Sequence, residues 1–354
     1  MNWPSVVIVV PCRASQGSIQ HLVDSALAAI GDYPGVANVL LIGNIGDPTW
    51  IPIQNEIKSG RVAVHEVSTD PQFRDSNIKR LIGGQIAVKN GAEVLFFTDT
   101  KIRLPKDTLT RGVSLLLKHQ ADSVGGTFRR CPGQDAWWAR VMDEGLVTDV
   151  PRFGPGRVLN PAKTLNMPIT ACLFMTSVVF ERIQANWPKE ASRHPSHEDT
   201  RICIEILNEG FRIYVTDALS VFHAHRSESS AVLLKWARSG AAIANMRKSM
   251  PDNAFVTSRT RKAFFLLVLE LLAYVGAFMV LLTLGWSGLW WCVFVFCGTM
   301  VSAGMVNALK VKDVRAMLYP WGTMLLIGSF EFAFLITMVS KKKEYNPSDL
   351  LQIY

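Results

Sequence analysis

Three apolar runs, Ala263 to Trp286, Gly288 to Leu309 and Met317 to Ser340, crowd into the C-terminal quarter of the chain and constrain its fold more than any other feature. Each is long enough to cross a bilayer core of about 30 Å as a helix. Arg259, Arg261 and Lys262 precede the first run, and Lys310, Lys312 and Arg315 follow the second. Cations collect on the cytosolic side of membrane helices, so the first two runs read as a hairpin turning near Ser287 with both ends in the cytosol. A third crossing would carry Lys341, Lys342 and Lys343 outward, against that tendency. The last run is therefore re-entrant or interfacial, or the charge rule is overridden. Glu270 and Glu331 lie inside these runs, where a carboxylate is costly, and are expected to face other helices or another subunit.

Upstream, Ser230 to Met250 places Leu233, Trp236, Ala237, Gly240, Ile243 and Ala244 on one helical face, with Lys235, Arg238, Arg247 and Lys248 on others. An apolar body with cationic flanks is the pattern of a helix lying in the membrane interface, with core packing of Trp236 as the alternative. The expected organisation is a cytosolic domain over 1–229, an amphipathic interfacial helix and linker over 230–262, about three transmembrane helices over 263–340 and a basic tail over 341–354. The N-terminus lacks the pattern of a cleaved secretory signal, which places the large domain in the cytosol of a multi-pass protein of a bacterial-type plasma membrane.

The formal charge of +8 does not point to nucleic acid, because Lys and Arg are scattered and cluster mainly beside the apolar runs. Anionic lipid and a phosphate-bearing ligand are the expected partners. Cys12, Cys131, Cys172, Cys203, Cys292 and Cys297 form no Cys-x-x-Cys pair and no metal-ligand spacing with histidine, and are read as reduced, buried thiols.

The first 229 residues alternate strand and helix signals. A β-branched run, Ser5 to Val10, ends in Pro11-Cys12-Arg13 and suits a strand buried on both faces. Ile19 to Ile30 has helical spacing; Val36 to Ile42 is a second strand that stops in the turn Gly43-Asn44-Ile45-Gly46-Asp47; Val62 to Val67 is a third. The alternation argues for a doubly wound α/β sheet. No Gly-x-Gly-x-x-Gly follows the first strand and no Gly-Lys-Ser/Thr loop occurs, so the usual dinucleotide and P-loop classes drop out.

Val94 to Phe97 is a strand that ends abruptly in Thr98-Asp99-Thr100-Lys101. The carboxyl ends of strands in such sheets open onto the ligand crevice, so Asp99 faces a ligand or caps the turn. The helix leading into this strand starts with Lys79-Arg80, which hold a diphosphate or form a solvated surface pair. Ala121 to Arg129 and Pro168 to Met175 read as further strands. Between them lies an irregular segment in which Trp137 and Trp138 stack on a sugar or lipid head, or pack under a loop. Glu198 and Asp199 resemble a Glu-Asp pair at the start of a helix followed by Gly210-Phe211-Arg212 and a strand, where carboxylates serve as a base or simply favour the helix dipole; beyond come His223 and His225, which an i, i+2 spacing on a strand would point to one face.

The order strand-Pro-x-Arg, second strand with a polar turn, Lys-led helix, strand-Asp, then Glu-Asp followed by His resembles the inverting family 2 glycosyltransferases of GT-A fold, over roughly Ser5 to Lys248. The resemblance implies a nucleotide-sugar donor held by Pro11, Arg13, Asn44, Lys79, Asp99 and Lys101. It implies Asp199 as the catalytic base with Glu198 beside it, and a divalent cation, Mg2+ or Mn2+, at Asp99 with His223 and His225. Trp137, Trp138, Lys235, Trp236 and Arg238 fall on the expected acceptor and membrane side. Two departures stand out. The family's Asp-x-Asp is Asp99-Thr100-Lys101 here, so Lys101 is an alternative source of positive charge against the diphosphate. Asn44 stands where acidic residues read the nucleobase; its amide has both a donor and an acceptor for that purpose. The Gln-x-x-Arg-Trp of membrane-bound synthases is reduced to Lys235-Trp236, with Val232 at the Gln position.

These readings lead to a membrane-bound inverting hexosyltransferase that passes a sugar to a lipid-linked acceptor in cell-envelope glycan synthesis, possible as a homo-oligomer. The rivals are a processive polysaccharide synthase and a catalytically inactive glycan-binding or scaffolding subunit.

Overall fold

The computed structural model describes residues 2–68, 75–144, 151–160, 167–187, 198–225 and 228–339. The basic tail 341–354 and His197 lie outside them. In chain order the elements are β1 (Val6–Pro11), α1 (Ile19–Gly31), β2 (Ala37–Asn44), α2 (Gln54–Lys58), β3 (Ala63–Val67), α3 (Ser76–Lys89), β4 (Val94–Phe97), β5 (Ile102–Arg103), α4 (Thr108–His119) and β6 (Ser123–Arg130). Then come α5 (Trp137–Glu144), β7 (Arg157–Val158), β8 (Leu173–Thr176), α6 (Ser177–Ile183), α7 (Glu198–Asn208), β9 (Ile213–His223), α8 (Ser229–Ser249), α9 (Ala254–Val311) and α10 (Tyr319–Val339).

The chain forms two compact units: Met1–Gln134 with Val150–Ala224, and Asp135–Asp149 with His225–Tyr354. The first is a mixed α/β unit. Its sheet runs β3-β2-β1-β4-β8-β6-β9-β5, with β7 on β9. β3, β2, β1 and β4 are parallel; β8 turns antiparallel between β4 and β6, and β9 runs parallel to β6. The central strands β1 and β4 are continuous apolar runs because both their faces are covered, whereas β3 at the sheet margin is largely exposed. Ile8, Val9, Leu41 and Phe96 are fully buried, and the Phe96 and Phe174 rings stack at 4.2 Å across the β4–β8 pair. Each such side chain contributes about 1.5–3 kcal/mol by leaving water.

Register brings the functional residues to one edge. Pro11 pairs with Ile42 and Val9 with Phe97, so β1, β2 and β4 end level and Cys12-Arg13, Gly43-Asn44 and Thr98-Asp99 emerge together. β1 is followed in space by β2 on one side and β4 on the other, which makes this edge a topological switch point, where open α/β sheets bind ligands.

The second unit is helical. The long α9 is broken at Gly285, which takes φ 55° and ψ −138°, a conformation that only glycine adopts without strain. The two arms fold back on one another there, since the Cys292 thiol reaches the Ala277 carbonyl at 3.9 Å. The break lies two residues from the expected turn. Segments Ala254–Leu309 and Val314–Val339 are long and apolar enough to cross a membrane. Phe265, Leu272, Phe278, Leu282, Trp290 and Phe294 of α9 all lie exposed.

α8 does not present its apolar face outward as an interfacial helix would. Gly240, Ala241, Ile243 and Ala244 are buried, and a Cβ at Gly240 would stand 2.0 Å from the Phe330 carbonyl oxygen of α10. Small side chains let the two backbones touch, so α10 covers the face that the spacing assigned to lipid. Residues 254–262, expected as linker, belong to α9.

Of the six cysteines, Cys12, Cys131, Cys172 and Cys203 are buried free thiols, whereas Cys297 is exposed and Cys292 half-buried on α9. Glu331 is 3% exposed on α10, as its cost in an apolar helix requires. The Glu270 side chain lies outside the described set.

Candidate functional site

Around the switch point the turn after β1 is held from both sides. The Asp47 carboxylate accepts from Ala14 N at 3.0 and 3.2 Å and from Thr49 N at 2.9 Å, while Ser15 N donates to Thr49 Oγ1 at 2.8 Å. From the β4 side, the Thr100 hydroxyl donates to Ser15 Oγ at 3.0 Å. Between these ties Ala14 adopts a positive φ of 43°, a strained conformation that persists only where neighbours over-determine it. Arg13 therefore projects, exposed, from a fixed turn. Asp47, Thr49 and Thr100 were missed by the sequence reading, although Asp47-Pro48-Thr49 carries the signature of a capped helix start.

Asn44 closes β2, half-buried, opposite Val67. Beside it Trp50 lies so close to Gly43 that a Cβ there would meet the indole at 2.3 Å, and Trp50 Nε1 donates to Glu66 Oε1 at 3.0 Å. An aromatic plate, an amide and a carboxylate thus share one end of the edge.

Lys79 is not an open cation for a diphosphate. Its side chain is 1% exposed, and Nζ donates to the Cys12 carbonyl at 2.8 Å and pairs with Asp75 Oδ2 at 2.9 Å. It pins α3 to the end of β1. The solvated-surface alternative also fails for Arg80, which is buried with its guanidinium 3.7 Å from Glu198 Oε2. Glu198 also accepts from Ser76 Oγ at 3.0 Å, so this carboxylate braces the start of α7 against α3. Burial pushes the Cys12 thiol well above its ordinary range, and the nearby carboxylates of Asp47 and Asp99 push it the same way.

Asp199 accepts a hydrogen bond from the Thr170 hydroxyl. Thr170 begins the turn before β8, and the next residue, Ala171, accepts from Thr98 Oγ1 at 3.0 Å. Asp199, Thr170, Ala171, Thr98 and Asp99 thus form one connected series that links the first turn of α7 to the end of β4. The Asp99 carboxylate does not cap the turn: it accepts from the Thr100 hydroxyl at 3.3 Å, and Ile102 N bonds the Asp99 main-chain carbonyl instead. Burial raises the Cys203 thiol, and Asp199 one turn away adds to the effect.

β5 pairs with β9 so that Ile102 stands opposite His223 and Ala224 N donates to the Lys101 carbonyl at 3.0 Å. Lys101 itself is exposed. The His223 ring lies 5.1 Å from that of Phe128. β9 ends at His223 and His225 falls in the other unit, so the two do not share a strand face. Among the described residues no group of three or more His, Cys, Asp and Glu could hold a metal, and Asp99, His223 and His225 form no such set. A cation here would take Asp99 from the protein and complete its shell with phosphate oxygens, the usual habit of Mg2+.

The expected acceptor-side residues belong to the helical unit. Trp138 is 8% exposed and its indole N–H donates to Ser229 Oγ at 2.6 Å; with Val141, Met142, Val232, Tyr319 and Leu326 it forms a core that Trp137 and Trp236 join. The packing readings of all three tryptophans are the ones realised. Lys235 and Arg238 are half-buried on α8.

No protein family and no curated protein matches the sequence. Among solved structures the chain is similar to the mannosyltransferase PcManGT from Pyrobaculum calidifontis, in complex with GDP-Man and Mn2+. The identity is 13%, over 97% of this chain and 88% of that one, with a TM-score of 0.53. It is also similar to S. aureus TarS 1–349 in complex with UDP-GlcNAc, at 13% identity over 95% of this chain and 91% of that one, with a TM-score of 0.49. The fold is a glycosyltransferase fold followed by apolar helices.

Proposed function

We propose that the chain is a membrane-anchored inverting glycosyltransferase that moves a sugar from a nucleotide-diphosphate sugar to a lipid-linked acceptor of polyprenyl-phosphate or glycolipid type, in cell-envelope glycan synthesis. The observation that carries this reading is that the end of β4, which bears Asp99, and the first turn of α7, which bears Asp199, are both tied by hydrogen bonds to the turn before β8, through Thr98 to Ala171 and Thr170 to Asp199. Inversion needs one carboxylate to take the acceptor proton as the new bond forms at the anomeric carbon and the nucleoside diphosphate leaves. Asp199 has that role. Asp99 lies on the leaving-group side. A bound Mg2+ or Mn2+ there would stabilise the charge developing on the diphosphate. Lys101, exposed beside Asp99, supplies charge of the same sign. Arg13, on its fixed turn, faces the phosphates, and Asn44 with Trp50 receives the base.

The test is nucleoside diphosphate release by the purified full chain in lipid, across a panel of nucleotide sugars. With an acceptor hydroxyl, Asp199→Asn should lower turnover by about 10²–10⁴ while donor binding survives. Near-normal turnover would sink the base assignment. A polyprenyl phosphate oxygen arrives already ionised, so with that acceptor the loss should be much smaller. Chelation should abolish activity and Mg2+ or Mn2+ restore it. Indifference to chelator, with loss on Lys101→Ala, would give the electrostatic role to the lysine. Absence of release with every donor of the panel would favour an inactive, glycan-binding subunit.

A further inference from the structure

The last apolar helix is long enough to cross a bilayer, yet its neighbours describe a different placement. α8 and α10 run parallel in close contact: Gly240 meets the backbone at Phe330, Ile243 and Ala244 pack on Phe334, and Lys248 Nζ donates to the Thr337 carbonyl at 2.5 Å. At the other end Tyr319 OH donates to Glu144 at 3.3 Å, beside Arg140, which pairs with Asp313 at 2.6 Å and Asp135 at 2.7 Å. Ionic groups on α5 and α8 therefore accompany α10 from its first turn to its last. A helix carried through hydrocarbon would take all of them along, at several kcal/mol for each poorly paired charge.

The contacts with α9 give the orientation. Before α10, the Asn307 amide donates to the Ala316 carbonyl at 3.3 Å; near the C-terminal end of α10, Phe334 meets Phe264 with ring centroids 5.4 Å apart. Asn307 and Phe264 stand on opposite arms of the hairpin, each roughly 21 or 22 residues from Gly285, or about 32 Å at the rise of an α-helix. A helix spanning beside the hairpin would bring one of its ends to the Gly285 tip. Both ends of α10 instead lie at the base. Trp321 reaches inward, its ring 5.5 Å from Phe296. The face of α10 turned away from α8 is apolar and exposed: Trp321, Met324, Leu325, Phe332, Leu335 and Val339.

Resting on the membrane reading above, we infer that the chain crosses the bilayer twice, through the two arms of α9. On this inference α10 lies in the membrane plane across the base of that hairpin, with its outer face in the headgroup boundary and its inner face on α8 and α5. Such a helix meets the lipid surface through one apolar face and keeps its ionic partners on the wet side. The chain then leaves α10 on the side where α9 began, and Lys341, Lys342 and Lys343 no longer conflict with the cations at 259–262 and 310–315.

The experiment is impermeant PEG-maleimide labelling of the full chain in sealed membrane vesicles of both orientations. Cys292→Ser and Cys297→Ser remove the accessible thiols, and single cysteines are then placed at Ser287 near the tip, and at the exposed Val314 and Val339. Expected is a gel shift of Val314→Cys and Val339→Cys from one and the same side, and of Ser287→Cys from the other. Labelling of Val339→Cys from the side of Ser287→Cys would overturn the inference and leave the membrane reading standing. Labelling of all three from one side, with release of the protein by alkaline carbonate, would overturn the membrane reading and this inference with it.

Discussion

α9 and α10 are both apolar along their length, but one is bare and the other is half-covered. In α9 the side chains of Phe265, Leu272, Phe278 and Phe294 lie mostly exposed, whereas in α10 Tyr319, Leu326, Ala333 and Phe334 are buried, Tyr319 and Leu326 beside α5 and α8 and Phe334 beside α8. Composition does not separate these helices. Partners do. The same contrast holds between the compact units. The α/β unit keeps its apolar residues inside and places a few paired charges at the sheet edge, such as Lys79 with Asp75. The helical unit turns much of its apolar surface outward and holds charges, such as Arg140 with Asp313, near its interior.

The largest effect that would sharpen this contrast comes from removing the covering helix. Truncation after Lys262 deletes Tyr319, Leu326 and Phe334 and strips the faces of α5 and α8 that they cover. The shortened chain should lose protease resistance around Trp137 to Glu144 and along α8, and aggregate without detergent, as newly exposed apolar patches do. Unchanged protection of those helices in limited proteolysis would mean that α10 only rests on them.

Next in size, Lys79→Met keeps length but removes the cation from a buried ion pair with Asp75, which costs about 3–5 kcal/mol in denaturant unfolding of the full chain. Donor affinity should fall as well, because the carbonyl of Cys12 loses its anchor. Adding Asp75→Leu should return much of the stability and little of the affinity. If the single substitution is neutral, the pair is not shielded as its burial indicates.

The smallest effect is one of pH. Burial raises the thiol of Cys172 to about 12 and raises those of Cys12 and Cys203 too. An ordinary thiol ionises near about 8.5, so above that pH the unfolded chain releases protons that the folded chain retains. The unfolded state then binds fewer protons, and stability falls as pH rises. The unfolding midpoint of the α/β unit should decline from about pH 9 upward, and Cys172→Ala should flatten that decline. A midpoint that stays level through this range would show that these sulfurs ionise as freely when folded as when unfolded.

Much of the α/β fold was legible because its signals are local. The run Val6 to Val10 and the strand Val94 to Phe97 are written in continuous β-branched and aromatic residues, and the start of α7 in Glu198-Asp199. Asp99 and Asp199 could be singled out by type and position. Their link through Thr98 and Thr170 could not, because it depends on β8 inserting between β4 and β6. Lys79 was misjudged for a related reason. A lysine in a polar context reads as solvated, and only the closure of α3 over Cys12 makes it a buried pin, although Asp75 four residues earlier was a local hint of its partner. The tryptophans at 137 and 138 were read with the segment around them, whereas their neighbours, Ser229, Val232 and Tyr319, lie some ninety or more residues downstream.

The described residues 135–144, which carry α5, lie in sequence between two parts of the α/β unit but are built into the helical one. The C-terminal helices are therefore not a cassette that can be cut away at one junction and replaced by the anchor of another protein. A graft that begins at His225 would supply helices shaped for a foreign α5 and leave Trp138, Arg140 and Tyr319 mismatched. A transplant that carries 135–149 together with 225–339 moves lock and key as one piece, so the boundary that matters for recombination is discontinuous.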